Sequence, residues 1–413
     1  MKKILYDFLM MRSHDGATQY NRSVFNALFE SVKSKGANVH IYCLYDSKAK
    51  IVFPELSISE LSQYNQISFV DINSGMDYVN SLCCDVFFLA CAQFASHYPQ
   101  LGKMECKSIV VLHDCVWEDT YNNDLSIYMT LNDEDSFRYR GTHSLGVMSY
   151  FNLKSPTWRF CRWLLYSRRH GKLERGYSYL HAAKKLINRR SDNIIITVSN
   201  YSSHSIAYNC GFSYDRMKVL YSPERMYVSR IGEVDVKRNS VLDSLIKGSI
   251  KFYLIVSANR QSKNARKVLR VFQRYSESHG DALIVTIGLG VKLFEKHVDL
   301  PFLDDLDLER AYKYCYALIY PSYFEGFGYP PLEAMKCGKP VLSSNVCSMP
   351  EILGDAPIYF SPFFESAIYG ALVSLNEETY MKYSELSLER YKYISEKQKS
   401  DLNELVSLLV DSE

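Results

Sequence analysis

Short, almost wholly apolar runs recur along this chain, spaced so that a helix fits between most neighbours. Residues 4–8, 39–43, 67–70, 86–90, 109–113 and 194–198 are such runs. A run that is apolar on both faces, rather than alternating, is the pattern of a strand in a parallel sheet covered by helices on both sides. After the first run, Tyr20, Val24, Phe25 and Leu28 share one helical face, and Thr18 is placed to cap that helix. A second series opens at 252–256. It continues with a helix from about Ala265, a strand at 282–287, a helix near 308–315 and a strand at 317–320. Two successive alternating series predict an α/β protein of two doubly wound domains, with ligand beyond the carboxyl ends of the strands. A length of 413 residues also exceeds one typical core. The mixed, polar stretch 222–249 is read as the linker, dividing a domain at 1–224 from one at 245–390. From about Thr379 the chain reads as helix.

No apolar run reaches the roughly 18 residues of a membrane span. The start, Met1-Lys2-Lys3 and then 4–8, is too short and interrupted for a signal peptide and reads as a strand. The 11 cysteines are scattered without metal-ligand spacing, as in a reduced, cytosolic chain. Net charge is +2, yet residues 154–190 hold 11 Lys or Arg against the single acid Glu174, so the rest of the chain is net acidic. Trp158, Arg159, Phe160, Arg162, Trp163, Tyr166, Arg168 and Arg169 interleave aromatic and cationic groups in that segment. This suits a helix lying on an anionic leaflet, or a core helix with a solvated basic face. Nucleic acid is disfavoured, because no recognition motif accompanies the charge. Residues 119–153, rich in Tyr, Asn, Asp and Ser, read as an insertion.

The chemistry concentrates where the strand at 317–320 runs into Glu325-Gly326-Phe327-Gly328-Tyr329-Pro330-Pro331-Leu332-Glu333. Gly326 and Gly328 let the backbone approach a ligand with no Cβ in the way. A proline suits the first turn of the helix that follows. Strand, glycine loop and helix N-terminus together form an anion site. Glu325 before the loop and Glu333 in the first helical turn would flank a bound phosphate, which suggests a nucleotide sugar. The alternative is an ordinary glycine loop with Glu333 complementing the helix dipole. Arg260-Gln261-Ser262-Lys263-Asn264, after the first strand of the second domain, offers two cations to one diphosphate, or merely opens a solvated basic helix. His113-Asp114 ends a strand of the first domain and points a polar pair at the cleft, unless it is a turn cap beside a half-buried histidine.

The stretch from Tyr320 to Asp355 resembles the retaining glycosyltransferases of family four, which have the GT-B fold. Their two glutamates, separated by seven residues, lie in Pro-Ser-x-x-Glu-Gly-Phe-Gly-x-Pro-x-Leu-Glu-Ala-Met, matched here through Ala334 and Met335. Gly338-Lys339-Pro340-Val341 and Pro350-Glu351-Ile352-Leu353-Gly354-Asp355 continue the likeness, and Arg260 and Lys263 fit the family's Arg-x-x-Lys-Asn. The resemblance implies two Rossmann-like domains facing a cleft. The first would bind acceptor, the second the nucleotide sugar, and a last helix, about 396–413, would pack back on the first. It implies Glu325 on the donor sugar, Glu333 on the ribose, and Arg260 and Lys263 on the diphosphate without any metal. Gly326, Phe327 and Gly328 would line the donor, and His113 would touch the transferred sugar. Gly16, all that remains of a loop usually richer in glycine, would lie near the pyrophosphate. Val198-Ser199-Asn200-Tyr201-Ser202 resembles the family's Val-Ser-x-x-Ser turn, read here as a helix cap by Ser199 or Ser202.

The expected activity is therefore retaining transfer of a hexose, without metal or cofactor, from a UDP-, GDP- or dTDP-sugar to a glycan. A lipid-linked bacterial surface polysaccharide such as O-antigen is the expected acceptor, with the chain cytoplasmic or peripheral on the inner membrane face. A nucleotide-sugar 2-epimerase, which needs no acceptor, and a non-catalytic scaffold in polysaccharide assembly are the competing readings.

Overall fold

The computed structural model describes residues 1–9, 11, 16–35, 38–49, 58–115, 119, 178–225, 238–280 and 282–411. The expected insertion and most of the basic segment, through residue 177, lie outside the described residues apart from Asp119.

Two parallel sheets form the molecule. The first has strands β1 (Lys2–Asp7), β2 (Val39–Tyr45), β3 (Ile67–Asp71), β4 (Val86–Leu89), β5 (Lys107–Leu112), β6 (Ile194–Thr197) and β7 (Met217–Val219). Their order is β3-β2-β1-β4-β5-β6-β7, and each neighbouring pair is parallel. The second holds β8 (Phe252–Ile255), β9 (Leu283–Ile287), β10 (His297–Leu300), β11 (Ala317–Tyr320), β12 (Val341–Ser344) and β13 (Ile358–Phe360). Its order is β10-β9-β8-β11-β12-β13, again parallel throughout. Both sheets are α/β and doubly wound, as the unbroken apolar runs require: β4, β8 and β11 are buried at every residue. Each sheet reverses its winding once, between β1 and β4 and between β8 and β11. Such reversals open a crevice at the carboxyl ends of the strands, so they fix where a ligand belongs.

The helices that matter to the site are α1 (Gly16–Lys35), α2 (Ser178–Asn188), α3 (Asn200–Cys210), α4 (Ala265–Ser276), α5 (Asp305–Tyr314), α6 (Tyr329–Lys336), α7 (Met349–Leu353) and α8 (Glu377–Asp411). Tyr20, Val24, Phe25 and Leu28 of α1 are buried, as their spacing predicts. Thr18 does not cap α1, because the helix has already begun at Gly16. Helix α5 starts at Asp305, before the expected 308, because the Asp304 side chain accepts a hydrogen bond from Asp307 N. The linker is not wholly irregular: Asn239 caps a helix at Ser240–Lys247.

One apolar cluster runs through both units, taking in Phe25 and Phe88 of the first and Leu318 and Met335 of the second. The final helix α8 joins it through Ile394, Leu405 and Leu409 and packs against β1 and α1. It also grips the start of the linker: Asp401 accepts from Tyr221 N at 2.8 Å, and Gln398 Nε2 donates to Ser222 O at 2.6 Å. Among the described residues no helix is long and apolar enough to cross a membrane. Ile394 is fully buried on α8, so Ile394→Ala is expected to cost about 2–5 kcal/mol in urea unfolding. A loss below about 1 kcal/mol would show that α8 is not part of the shared core.

Candidate active site

The winding reversal between β8 and β11 brings two loops side by side. Lys263 leaves the turn after β8 (Gln261–Lys263), and Glu325 leaves the loop after β11. The Lys263 ammonium donates to a Glu325 carboxylate oxygen and, at 2.7 Å, to the Tyr320 hydroxyl. Both side chains are largely buried, at 10% and 14% exposure, so the pair is shielded from solvent screening. Burial first, and then the Glu325 charge, holds the Tyr320 hydroxyl protonated far above its usual range. The two loops are tied further by Tyr323, whose N donates to Ser262 O and whose hydroxyl donates to Asn264 Oδ1, each at 2.8 Å. Asn264 sits at φ +51°, a left-handed position that asparagine tolerates better than most residues.

Arg260 is not drawn into this contact. It caps the same turn, is exposed, and makes no ion pair among the described residues.

The glycine loop meets the first domain at atomic range. A Cβ on Gly326 would stand 2.7 Å from the His113 carbonyl oxygen and 3.2 Å from Asp114. Only glycine fits there. The Gly326 carbonyl accepts from Ser199 Oγ at 2.8 Å and from Ser202 Oγ at 3.3 Å, while Ser202 Oγ also donates to His113 O at 2.8 Å. Ser199 is therefore both the N-cap of α3, as its sequence context predicts, and a bridge between the domains. Gly328, at φ +92°, turns the chain into α6. The Phe327 ring is buried, edge-on to Tyr221 and to Tyr329, each ring 5.6 Å away, which leaves its backbone as the part nearest the loop surface.

His113 Nε2 lies 3.0 Å from the Ala90 carbonyl, which can only accept, so a neutral ring carries its proton on Nε2. The ring meets Tyr20 edge-on at 4.9 Å. Gly16 opens α1 rather than lying in a loop, and a Cβ there would touch the Tyr329 ring at 3.8 Å. The first residues of α1 and α6 therefore lie in van der Waals range of one another.

Glu333 lies in the second turn of α6, not the first, because the helix already starts at Tyr329. It is only 7% exposed. One carboxylate oxygen faces Arg225 Nη1 at 3.4 Å, and the other is buried without a hydrogen-bond partner among the described residues. Arg225 also holds Asp305 of α5, at 2.6 Å. Arg225 escaped the sequence reading because it stands in the aperiodic linker and has no motif around it.

This geometry can be set beside known proteins. Residues 243–362 match the family profile described as Glycosyl transferases group 1. The match takes in β8 to β13, the whole of the second sheet. O-antigen chain mannosyltransferase B of Escherichia coli is 43% identical over 82 residues, 20% of this chain and 22% of that protein. O-antigen chain mannosyltransferase RfbU of Salmonella typhimurium is 26% identical over 195 residues, 44% of this chain and 51% of that one. The chain thus spans about half or less of the length of these curated relatives. The crystal structure of Anabaena HepE in complex with UDP and glucose superposes with a TM-score of 0.60, 13% identity and coverage of 100% of both chains. The fold is GT-B.

Gly326→Ala would drive a methyl group into the His113 carbonyl. It is expected to destabilise the protein by about 1–3 kcal/mol in urea unfolding. Wild-type stability would mean that the two loops do not touch in solution.

Proposed function

We propose that the chain is a retaining, metal-independent glycosyltransferase that moves a hexose from a nucleotide diphosphate sugar to a growing glycan. The observation that carries this reading is the shielded Lys263–Glu325 pair at the β8–β11 reversal, held by Gly326 against His113 of the opposite domain. Cation and carboxylate are groups that glycosyl transfer needs at one point, and the backbone of His113 lies against the loop that carries the carboxylate. Glu325 would fix the sugar hydroxyls. Lys263 would meet the diphosphate as the bond from the anomeric carbon to the phosphate oxygen breaks and charge builds on the leaving group. Because Lys263 is already neutralised by Glu325, Arg260 is the cation in reserve for the second phosphate, and its planar fork suits that task. The acceptor hydroxyl attacks from the same face and gives its proton to the departing phosphate oxygen, so configuration is retained. His113 contacts the sugar.

Glu333 supports a ribose contact. A buried carboxylate oxygen without a partner costs free energy, and a ribose hydroxyl would supply the missing donor. Mannose is the proposed sugar, since the relatives named above are mannosyltransferases. The proposed acceptor is an O-antigen glycan on a lipid carrier at the inner face of the membrane, with the basic, aromatic stretch 154–190 on the anionic leaflet.

The test is nucleotide release from a panel of UDP-, GDP-, dTDP- and ADP-sugars, GDP-mannose included, with chelator present and with or without a lipid-linked acceptor fraction. Release from one donor, raised by acceptor, is expected. No release and no stabilisation by any nucleotide would favour a scaffold, and conversion of donor without acceptor an epimerase. Lys263→Ala is expected to lower kcat about 100-fold or more, with Arg260→Ala acting in the same direction. Glu333→Ala is expected to raise donor KM about tenfold. If all three variants keep wild-type kinetics, the site is misassigned.

A further inference from the structure

Glu351 belongs to the second unit, on α7, but its carboxylate is spent on the first. One oxygen accepts from Asn200 N at 2.8 Å, from Asn200 Nδ2 at 2.9 Å and from the Tyr221 hydroxyl at 3.0 Å. The other accepts from Tyr201 N at 3.0 Å. Asn200 and Tyr201 are the first two residues of α3, whose leading N–H groups have no partner inside the helix. A carboxylate is the group a helix N-terminus holds best, and here it comes from the opposite domain.

The contact closes a circuit around the glycine loop. Ser348, three residues before Glu351, donates its hydroxyl to Glu325 O at 2.9 Å. Ser199, the cap of the same helix α3, donates to Gly326 O. Two consecutive carbonyls of the loop are thus gripped from opposite sides, one by the strip that carries Glu351 and one by the helix that Glu351 holds. The strip is itself seated by Arg390 of α8, which donates to Ile352 O at 2.8 Å and to Glu351 O at 2.5 Å.

We infer that Glu351 is a positioning residue for transfer: docked on the N-terminus of α3, it latches the two domains so that the Gly326 loop stays against His113. Glu351 touches neither sugar nor phosphate. It sets the distance between the half of the site that holds the donor and the half that presents the acceptor. The kinetic consequence rests on the transferase reading above, whereas the latch itself does not.

Three variants of the full chain test it: Glu351→Ala, Glu351→Gln and Asn200→Asp. The readouts are small-angle scattering, affinity for UDP and for GDP, and kcat and KM for the donor that turns over. Glu351→Ala is expected to enlarge the radius of gyration and to lower kcat roughly 10- to 100-fold, since small misplacements cost that much. Affinity for UDP and GDP should stay within about twofold, because the proposed nucleotide contacts lie in the second unit and its linker. Glu351→Gln keeps one accepting oxygen but presents an amide N–H to Tyr201 N–H, so it should fall between wild type and alanine. Asn200→Asp is the control for folding. An acid at the start of α3 favours the helix itself but repels Glu351, so a lower kcat with an intact fold reports the latch and not the helix. An unchanged radius of gyration in all three variants overturns the latch, whether or not a donor is found. An unchanged kcat, or a loss of kcat matched by an equal loss of nucleotide affinity, overturns the positioning role. A wild type inactive on every donor refutes the transferase reading and leaves the scattering result to decide the latch alone.

Discussion

The close approach of Gly326 to the His113 carbonyl is the constraint on which the rest of the site depends. It makes two sheets with separate windings into one cleft, and it works only because position 326 has no side chain. Everything chemical hangs from the loop so placed. Glu325 precedes the contact, Gly328 turns the chain into α6, and Glu333 rides on that helix. The serine hydroxyls of Ser199 and Ser202 then satisfy the loop carbonyl that the approach would otherwise bury unpaired.

Charge in the cleft is arranged in linked groups. Lys263 with Glu325, and Arg225 with Glu333 and Asp305, are largely buried, and each group ties two elements together. Breaking one partner of such a pair strands the other in low dielectric. Among the described residues, the Glu333 oxygen without a partner and Arg260 are the exceptions, and both sit at the carboxyl edge of the second sheet, where the sheet reversal opens.

Much of this was legible in the chain. The apolar runs marked β1 to β6 within a residue or two, and Ala265 opens its helix where the pattern places it. The glutamate motif and the Arg260–Lys263 turn stood out because spacing and glycine carry local information. Three short edge strands, β7, β10 and β13, did not. His297-Val298-Asp299-Leu300 carries two polar residues, which the sheet accommodates because Thr286 donates to Asp299 and meets His297 within hydrogen-bond range. Glu333 lies one turn further into α6 than the sequence predicts, because the helix starts directly after Gly328 with its positive φ and not at the prolines. Arg225 and the Ser199 bridge were out of reach, since their partners are chosen by how the domains face each other, and Phe327 reads as a loop residue until Tyr221 of the first unit is brought beside it.

A crystal structure of the protein with UDP or GDP bound tests the central claim most directly. The account predicts the terminal phosphate within hydrogen-bond reach of Lys263 Nζ and the amides of the Gly326–Gly328 loop, with a ribose hydroxyl donating to the unpaired Glu333 oxygen. A nucleotide seated elsewhere, or one whose ribose leaves that oxygen unpaired, would contradict it.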